Sequence, residues 1–448
     1  MPSVLNLQAQ DVDSKEKRAQ YTVSIVGCGQ IGILYADAFA EAGYKVICND
    51  ENPNLLKRLT KAKNCYINPE IETRLKKHLD TGNLTISSVR KNTVAQSDII
   101  ILAINIKMDT KRKSDTSELE GAYKQVGTAL KQGTLLIYGG ISRFGSTEKL
   151  LKETLENTSG LKEGKDFLLA YNPLCISKTQ SIKSLNTLEL IIASANQQGL
   201  DVATTVLKTV ASKVKQTNQV KAAELATLFK AVQQDMCTAL ANELANFCEN
   251  AGMDYFEIQK LINGENSQFW PVIGEEENRK ETYLLIESAE NLNVKLRLSQ
   301  LSRQINEEVV KHAINLTQET LRSCDKSLRR ARVAVFGTSN QNTATAKYIE
   351  AATVKGAKIT LYDPFMAKNE NFDMTPVLKK SLSETVEGAD CLVILAGQEQ
   401  LKRLNLKKLK TVMKSPAVLV DLIGIAEPEK IQAEGFIYRG IGRGMDKP

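Results

Sequence analysis

The chain has 448 residues, 42% of them apolar and 25% charged, with a formal charge of +7 from 59 basic and 52 acidic side chains. That length exceeds what one hydrophobic core holds, so two or three domains are expected, and the composition is that of a folded chain rather than a disordered or fibrous one. The longest apolar runs, such as residues 99–104 and 417–420, fall short of the roughly 18–20 residues of a membrane-spanning helix, and the basic excess is small, so neither a membrane nor nucleic acid is an expected partner.

Residues 1–20 lack the basic-then-apolar order of a signal peptide and read as a polar, frayed leader, which predicts a cytoplasmic protein. The eight cysteines stand singly at irregular spacing, as reduced thiols do. The two histidines, His78 and His312, are far apart, so no metal site is expected.

From Tyr21 a β-branched run (YTVSIV) leads into a glycine turn, an amphipathic stretch (ILYADAFAEAG) and a second run (YKVICND), a βαβ unit. The turn reads Gly27-Cys28-Gly29-Gln30-Ile31-Gly32, a GxGxxG between a strand and a helix. Its first glycine permits a tight turn, its second lets backbone approach a pyrophosphate, and its third lets helix and strand pack, with the helix N-terminus facing the negative charge. Asp50 closes the second strand, where a carboxylate accepts hydrogen bonds from an adenosine ribose and repels a 2′-phosphate. These seven residues predict a cofactor site for NAD rather than NADP.

Further runs (SDIIILAI, TLLIY) extend a parallel sheet and carry the first domain to about residue 198. Residues 199–327 turn to helical periodicity, notably 219–251, and strands return in ARVAVFG, AKITLYDP, ADCLVILAG and AVLVDLIG. The expected fold is α/β, with two Rossmann-like doubly wound domains (21–198 and 328–448) joined by a long-helix central domain. The turn after the later strand, Gly337-Thr338-Ser339-Asn340-Gln341-Asn342, lacks the second and third glycines and predicts no second NAD site. The lysine-rich stretches 107–113 and 402–410 read as solvated faces.

Four stretches make the whole resemble a known family: AELATLF with ALANELANFCENAGMD (223–229, 239–254), SGLKEGKDFLLAYNP (159–173), KITLYDP, and GFIYRGIGRG. Over roughly residues 21 to 444 the chain resembles the UDP-glucose/GDP-mannose dehydrogenases, and within them the UDP-N-acetylmannosamine and UDP-N-acetylglucosamine branch. The resemblance implies an NAD domain, a UDP domain and a long helix that forms a homodimer. It also implies oxidation of a sugar C6 alcohol to a carboxylate with two NAD, in polysaccharide biosynthesis.

That chemistry needs a cysteine thiol to trap the aldehyde, with cationic and amide groups to hold the oxyanion. Matched to the family pattern, the cysteine position falls near Glu277, within GEEENRK (274–280), and the following aspartate at Glu281. The lysine and asparagine that follow the family's Ala-Glu are Thr227 and Ala231, its Pro-Glu is Pro173-Leu174, and its Ser-Thr is Gly140-Ile141. On the UDP side a basic loop is replaced by TSNQNTATAKY, and Asp-x-Arg-Asn by Asp421-Leu422-Ile423-Gly424, which makes UDP-sugar binding doubtful. The expected protein therefore keeps NAD, has no assigned catalytic residue, and acts as a regulator or as a partner of an active relative. The alternative is an active nucleotide-sugar dehydrogenase, or a two-electron NAD oxidoreductase, with relocated residues; Cys175 and Cys237 are then the candidate thiols.

Overall fold

The computed structural model describes residues 3–62, 69–109, 111–174, 184–263, 269–271, 273, 280–337, 344–363, 377–395, 405–424 and 426–444. The chain divides into two compact units, Met1–Ala231 with Lys280–Lys295, and Val232–Arg279 with Leu296–Pro448.

The first unit is built on an eight-stranded sheet. Its strands are β1 (Thr22–Val26), β2 (Lys45–Asn49), β3 (Leu84–Ser87), β4 (Ile99–Leu102), β7 (Leu135–Tyr138), β8 (Leu168–Tyr171), β9 (Glu189–Ala193) and β10 (Lys213–Thr217). A two-stranded ribbon of β5 (Lys107–Met108) and β6 (Ser114–Asp115) lies between β4 and β7 in the chain. The spatial order is β10-β9-β8-β7-β4-β1-β2-β3, and every pairing is parallel except β8 with β9. β4, β7 and β8 are buried at every position, as strands covered on both faces must be. The order of succession reverses between β1 and β4, which leaves a crevice outside their carboxyl ends.

Two features differ from the sequence expectation. The leader is not a frayed tail: Val4, Leu7 and Val12 are at most 3% exposed and join the core of the first sheet, and the Val4 N–H donates to Gly133 O. Apolar residues three to five apart give even this polar segment one face to bury. The first sheet also continues past residue 198, because the helix Gln197–Leu207 and β10 complete it; the helical middle begins at Val220. β10 was hard to foresee because it is an edge strand of sequence KVKQT, polar along most of its length. The basic residues Lys107, Lys111, Arg112 and Lys113 are exposed, as expected of a solvated face, and Lys107 pairs there with Glu118 and Lys113 with Glu290 at 2.5 Å.

In the second unit, β11 (Arg332–Phe336), β12 (Lys358–Tyr362), β13 (Val377–Leu378), β14 (Cys391–Ile394), β15 (Val418–Asp421) and β16 (Ile437–Gly440) form an all-parallel sheet in the order β13-β12-β11-β14-β15-β16. This is the doubly wound order again, with apolar cores on both faces. Residues 232–251 of the 32-residue helix Val220–Ala251 pack on the helix Arg297–Arg322 through polar contacts. Arg303 reaches the buried Asp235 at 2.9 Å, and Asn242 donates to Asn306 at 3.0 Å.

Candidate cofactor site

The glycine turn stands at the crevice between β1 and β4. Gly27 has φ +94°, and a Cβ there would lie 2.8 Å from Ala103 O and 2.9 Å from the Ile104 side chain, both just beyond β4. A Cβ at Gly32 would lie 1.9 Å from Gly27 O, so only glycine lets the helix Gln30–Glu41 come down on the turn. Gly29 is the N-cap of that helix, and its missing side chain faces open space with nothing within 4 Å. That opening in front of a helix N-terminus is what a pyrophosphate requires.

Asp50 lies at the same place. One carboxylate oxygen accepts the Cys28 N–H at 2.7 Å, and the other accepts the Asn52 N–H at 2.8 Å. The acid that follows the second strand is thus anchored to the glycine turn. Gln30 is exposed at the first helical position. The side chains of Cys28 and Ile31 point into the core. The Cys28 thiol, against Cys48 and fully buried, is pushed well above its ordinary value, which makes it an unreactive packing group whose backbone alone serves the turn.

Beside the crevice, the segments after β4 and β7 are tied together. Ile141 N–H donates to the Asn105 side chain at 3.2 Å, and the Tyr138 hydroxyl reaches Ile141 O at 3.1 Å. Behind them the fully buried Glu224 accepts the N–H groups of Gly145 at 2.5 Å and Thr147 at 2.9 Å and the Ser142 hydroxyl at 3.3 Å. Burial raises the pKa of this carboxyl, and the donors oppose the rise.

The positions matched to the family's catalytic groups are occupied differently. Thr227 is buried and its hydroxyl donates to Ala223 O, one turn back in its own helix, at 3.1 Å. Ala231, Ile141 and Leu174 are buried apolar residues, and Leu174 belongs to the core of the first sheet. Glu281 stands in the first turn of the helix Lys280–Asn291. Glu277 and Cys175 lie outside the described residues, and Cys237 is half-buried. In the second unit, Asp421 is fully buried and accepts the N–H groups of Ile423, Gly424 and Ala426 at 2.7–3.1 Å. A Cβ at Gly424 would lie 2.0 Å from the Phe256 ring, over which the Arg443 guanidinium sits at 4.2 Å. At Gly424, the position of the pattern's Asn, side-chain space is closed by that ring. Sequence reasoning did not single out Asn105 or Glu224 as functional, nor Glu51, Arg90 and Gln125, which cluster beside Asp50.

A mostly parallel sheet with this turn at its switch point, an acid closing the second strand and a second doubly wound unit define a dinucleotide-binding protein of dehydrogenase type. Descriptions of the UDP-glucose/GDP-mannose dehydrogenase family match in three parts: its NAD binding domain at residues 21–211, its central domain at 221–308 and its UDP binding domain at 338–428. The chain belongs to the UDP-glucose/GDP-mannose dehydrogenase family, and its cofactor is NAD. The UDP-N-acetyl-D-mannosamine dehydrogenase of Pyrococcus horikoshii is 28% identical over 434 residues, 94% of this chain and 99% of the relative. The solved UDP-D-ManNAc dehydrogenase structure from that organism superposes with a TM-score of 0.82 at 27% identity, over 95% of this chain and all of the other. A UDP-glucose dehydrogenase from Pyrobaculum islandicum shares the fold, with a TM-score of 0.80 at 20% identity over 94% and 98% of the two chains.

Proposed function

We propose that this chain binds NAD at the Gly27–Gly32 turn, has lost the family's four-electron oxidation of a nucleotide sugar, and works as a regulator or as a partner of an active relative. The observation that carries this reading is the contrast between a fully formed glycine turn and the buried, self-satisfied or apolar residues Thr227, Ala231, Leu174 and Ile141. NAD supplies a hydride acceptor when bound. The chain's own part is to hold the pyrophosphate with the turn amides and the ribose with Asp50. A missing nucleophile, or even one missing oxyanion donor, costs a rate factor of about 10²–10³ or more.

A second reading, an active dehydrogenase of nucleotide-sugar metabolism, is supported by relatives that are named dehydrogenases and match nearly the full length of both chains. In that case Cys237 is the described thiol to test. Incubation with NAD and UDP-N-acetylmannosamine, UDP-N-acetylglucosamine or UDP-glucose, followed by NADH absorbance, separates the two.

The proposal includes a cytoplasmic homodimer. Leu240, Leu244 and Phe247 recur at helical spacing with 46%, 41% and 70% exposure, an apolar stripe suited to a second copy of the same helix. Light scattering on the purified chain reads the mass directly; a monomer at micromolar concentration overturns this part.

A further inference from the structure

β2 ends at Asn49 and is followed directly by Asp50 and Glu51, so three polar residues stand in a row at its carboxyl end. Asp50 turns to the glycine turn, as described. Asn49 and Glu51 turn instead to Arg90, at the start of the helix Arg90–Ala95. The guanidinium donates from Nε to Asn49 Oδ1 at 3.2 Å, and one terminal nitrogen lies 3.1 Å from both Glu51 Oε1 and Gln125 Oε1. Gln125 also donates to Glu51 Oε1 at 3.3 Å, closing the cluster. The Arg90 side chain is only 7% exposed, whereas that of Glu51 is 58% exposed.

A nearly buried arginine therefore stands against the two residues that flank the ribose-binding acid. In this fold an arginine near that acid is what accommodates the 2′-phosphate of NADP, because a guanidinium matches phosphate in both charge and geometry. Arg90 has that chemistry, yet its charge is already met by Glu51. We propose that Glu51 is a second determinant of NAD over NADP: by pairing with Arg90 it withholds the guanidinium from a 2′-phosphate, while Asp50 repels that phosphate directly. Glu51 acts through Arg90 and is a positioning residue. The inference rests on the glycine turn and Asp50 forming the NAD site.

Two consequences separate this from selection by Asp50 alone. Asp50→Ser removes the ribose acceptor and weakens NADH without creating an NADPH site, because Arg90 stays paired. Asp50→Ser with Glu51→Gln removes both carboxylates and leaves Arg90 held only by neutral amides, free to meet the phosphate.

The test is fluorescence titration of the full chain with NADH and NADPH, for wild type, each single variant and the double variant. The double variant is expected to bind NADPH at least about tenfold more tightly than Asp50→Ser does, about 1.4 kcal/mol. Adding Arg90→Gln should abolish that gain. Should that buried substitution unfold the chain, titration of the double variant with 2′,5′-ADP and 5′-ADP isolates the 2′-phosphate without it: preference for 2′,5′-ADP supports the proposal. NADPH bound as tightly by Asp50→Ser as by the double variant, a gain that survives Arg90→Gln, or equal affinity for the two ADP probes overturns it. Failure of unaltered protein to bind NADH overturns the NAD site itself, and with it this inference.

Discussion

Glu224 receives the backbone N–H of Thr147 at 2.9 Å, although the two residues are 77 positions apart. With the Gly145 N–H and the Ser142 hydroxyl on the same carboxylate, Glu224 fixes the segment after β7 from behind, at the side of the cofactor crevice. Glu224→Gln keeps the size of the side chain but offers one acceptor oxygen to two N–H groups and aims an NH₂ at a donor. It is expected to lower stability by about 2 kcal/mol, read as a reduced urea midpoint at unchanged slope.

The glycine turn gives a pair of contrasting variants. Gly32→Ala places a methyl against Gly27 O and should disturb both the fold and NAD binding. Gly29→Ala meets no protein atom within 4 Å and should leave the melting temperature unchanged while weakening NAD by about tenfold or more, because the methyl occupies the approach of the pyrophosphate. Calorimetric titration and thermal melting on the same samples separate the two effects.

Within the first unit, Asp37 lies on the buried helix Gln30–Glu41 with its side chain 4% exposed, and Arg74 grips both of its oxygens at 2.7–3.1 Å. Arg74→Met strands the carboxylate and is expected to cost about 3 kcal/mol. Adding Asp37→Leu should recover most of that loss. Urea unfolding of the two variants checks the order.

In the second unit, His312 lies 3.0 Å from Glu249, whose other oxygen accepts the Gly442 N–H at 2.7 Å. Burial lowers the imidazole pKa, but the hydrogen bond and charge of Glu249, with a smaller contribution from Glu319, outweigh it and leave the pKa above its ordinary 6.5. A raised folded pKa means that the pair's stabilisation is complete below the unfolded value and is lost as pH climbs through the folded one. The gap in urea midpoint between wild type and His312→Gln should therefore be wider near about pH 6 than near about pH 9. A gap that widens with pH would contradict the ion pair.

Much of the fold was legible because it follows from short-range pattern: β-branched runs of four or five residues, a GxGxxG between the first strand and helix, and three- and four-residue apolar steps through 219–251. β10 and the leader were not, since one is a polar edge strand and the other buries three isolated apolar residues. The turn and Asp50 could be read as a motif because their function depends on missing side chains and fixed spacing. Arg90, Glu51 and Gln125 belong to three separate segments, and only the folded sheet brings them to the end of β2. Glu224 was visible as a landmark of the central helix, but its grip on residues 142–147 depends on tertiary contact alone.

The sharpest test is titration of the purified chain with NAD, followed by spectrophotometric detection of NADH after addition of UDP-N-acetylmannosamine. The expected result is saturable NAD binding with no NADH released above a no-sugar control. Steady release of two NADH per sugar would contradict it, and would show that the family's full oxidation proceeds without its lysine and asparagine at positions 227 and 231.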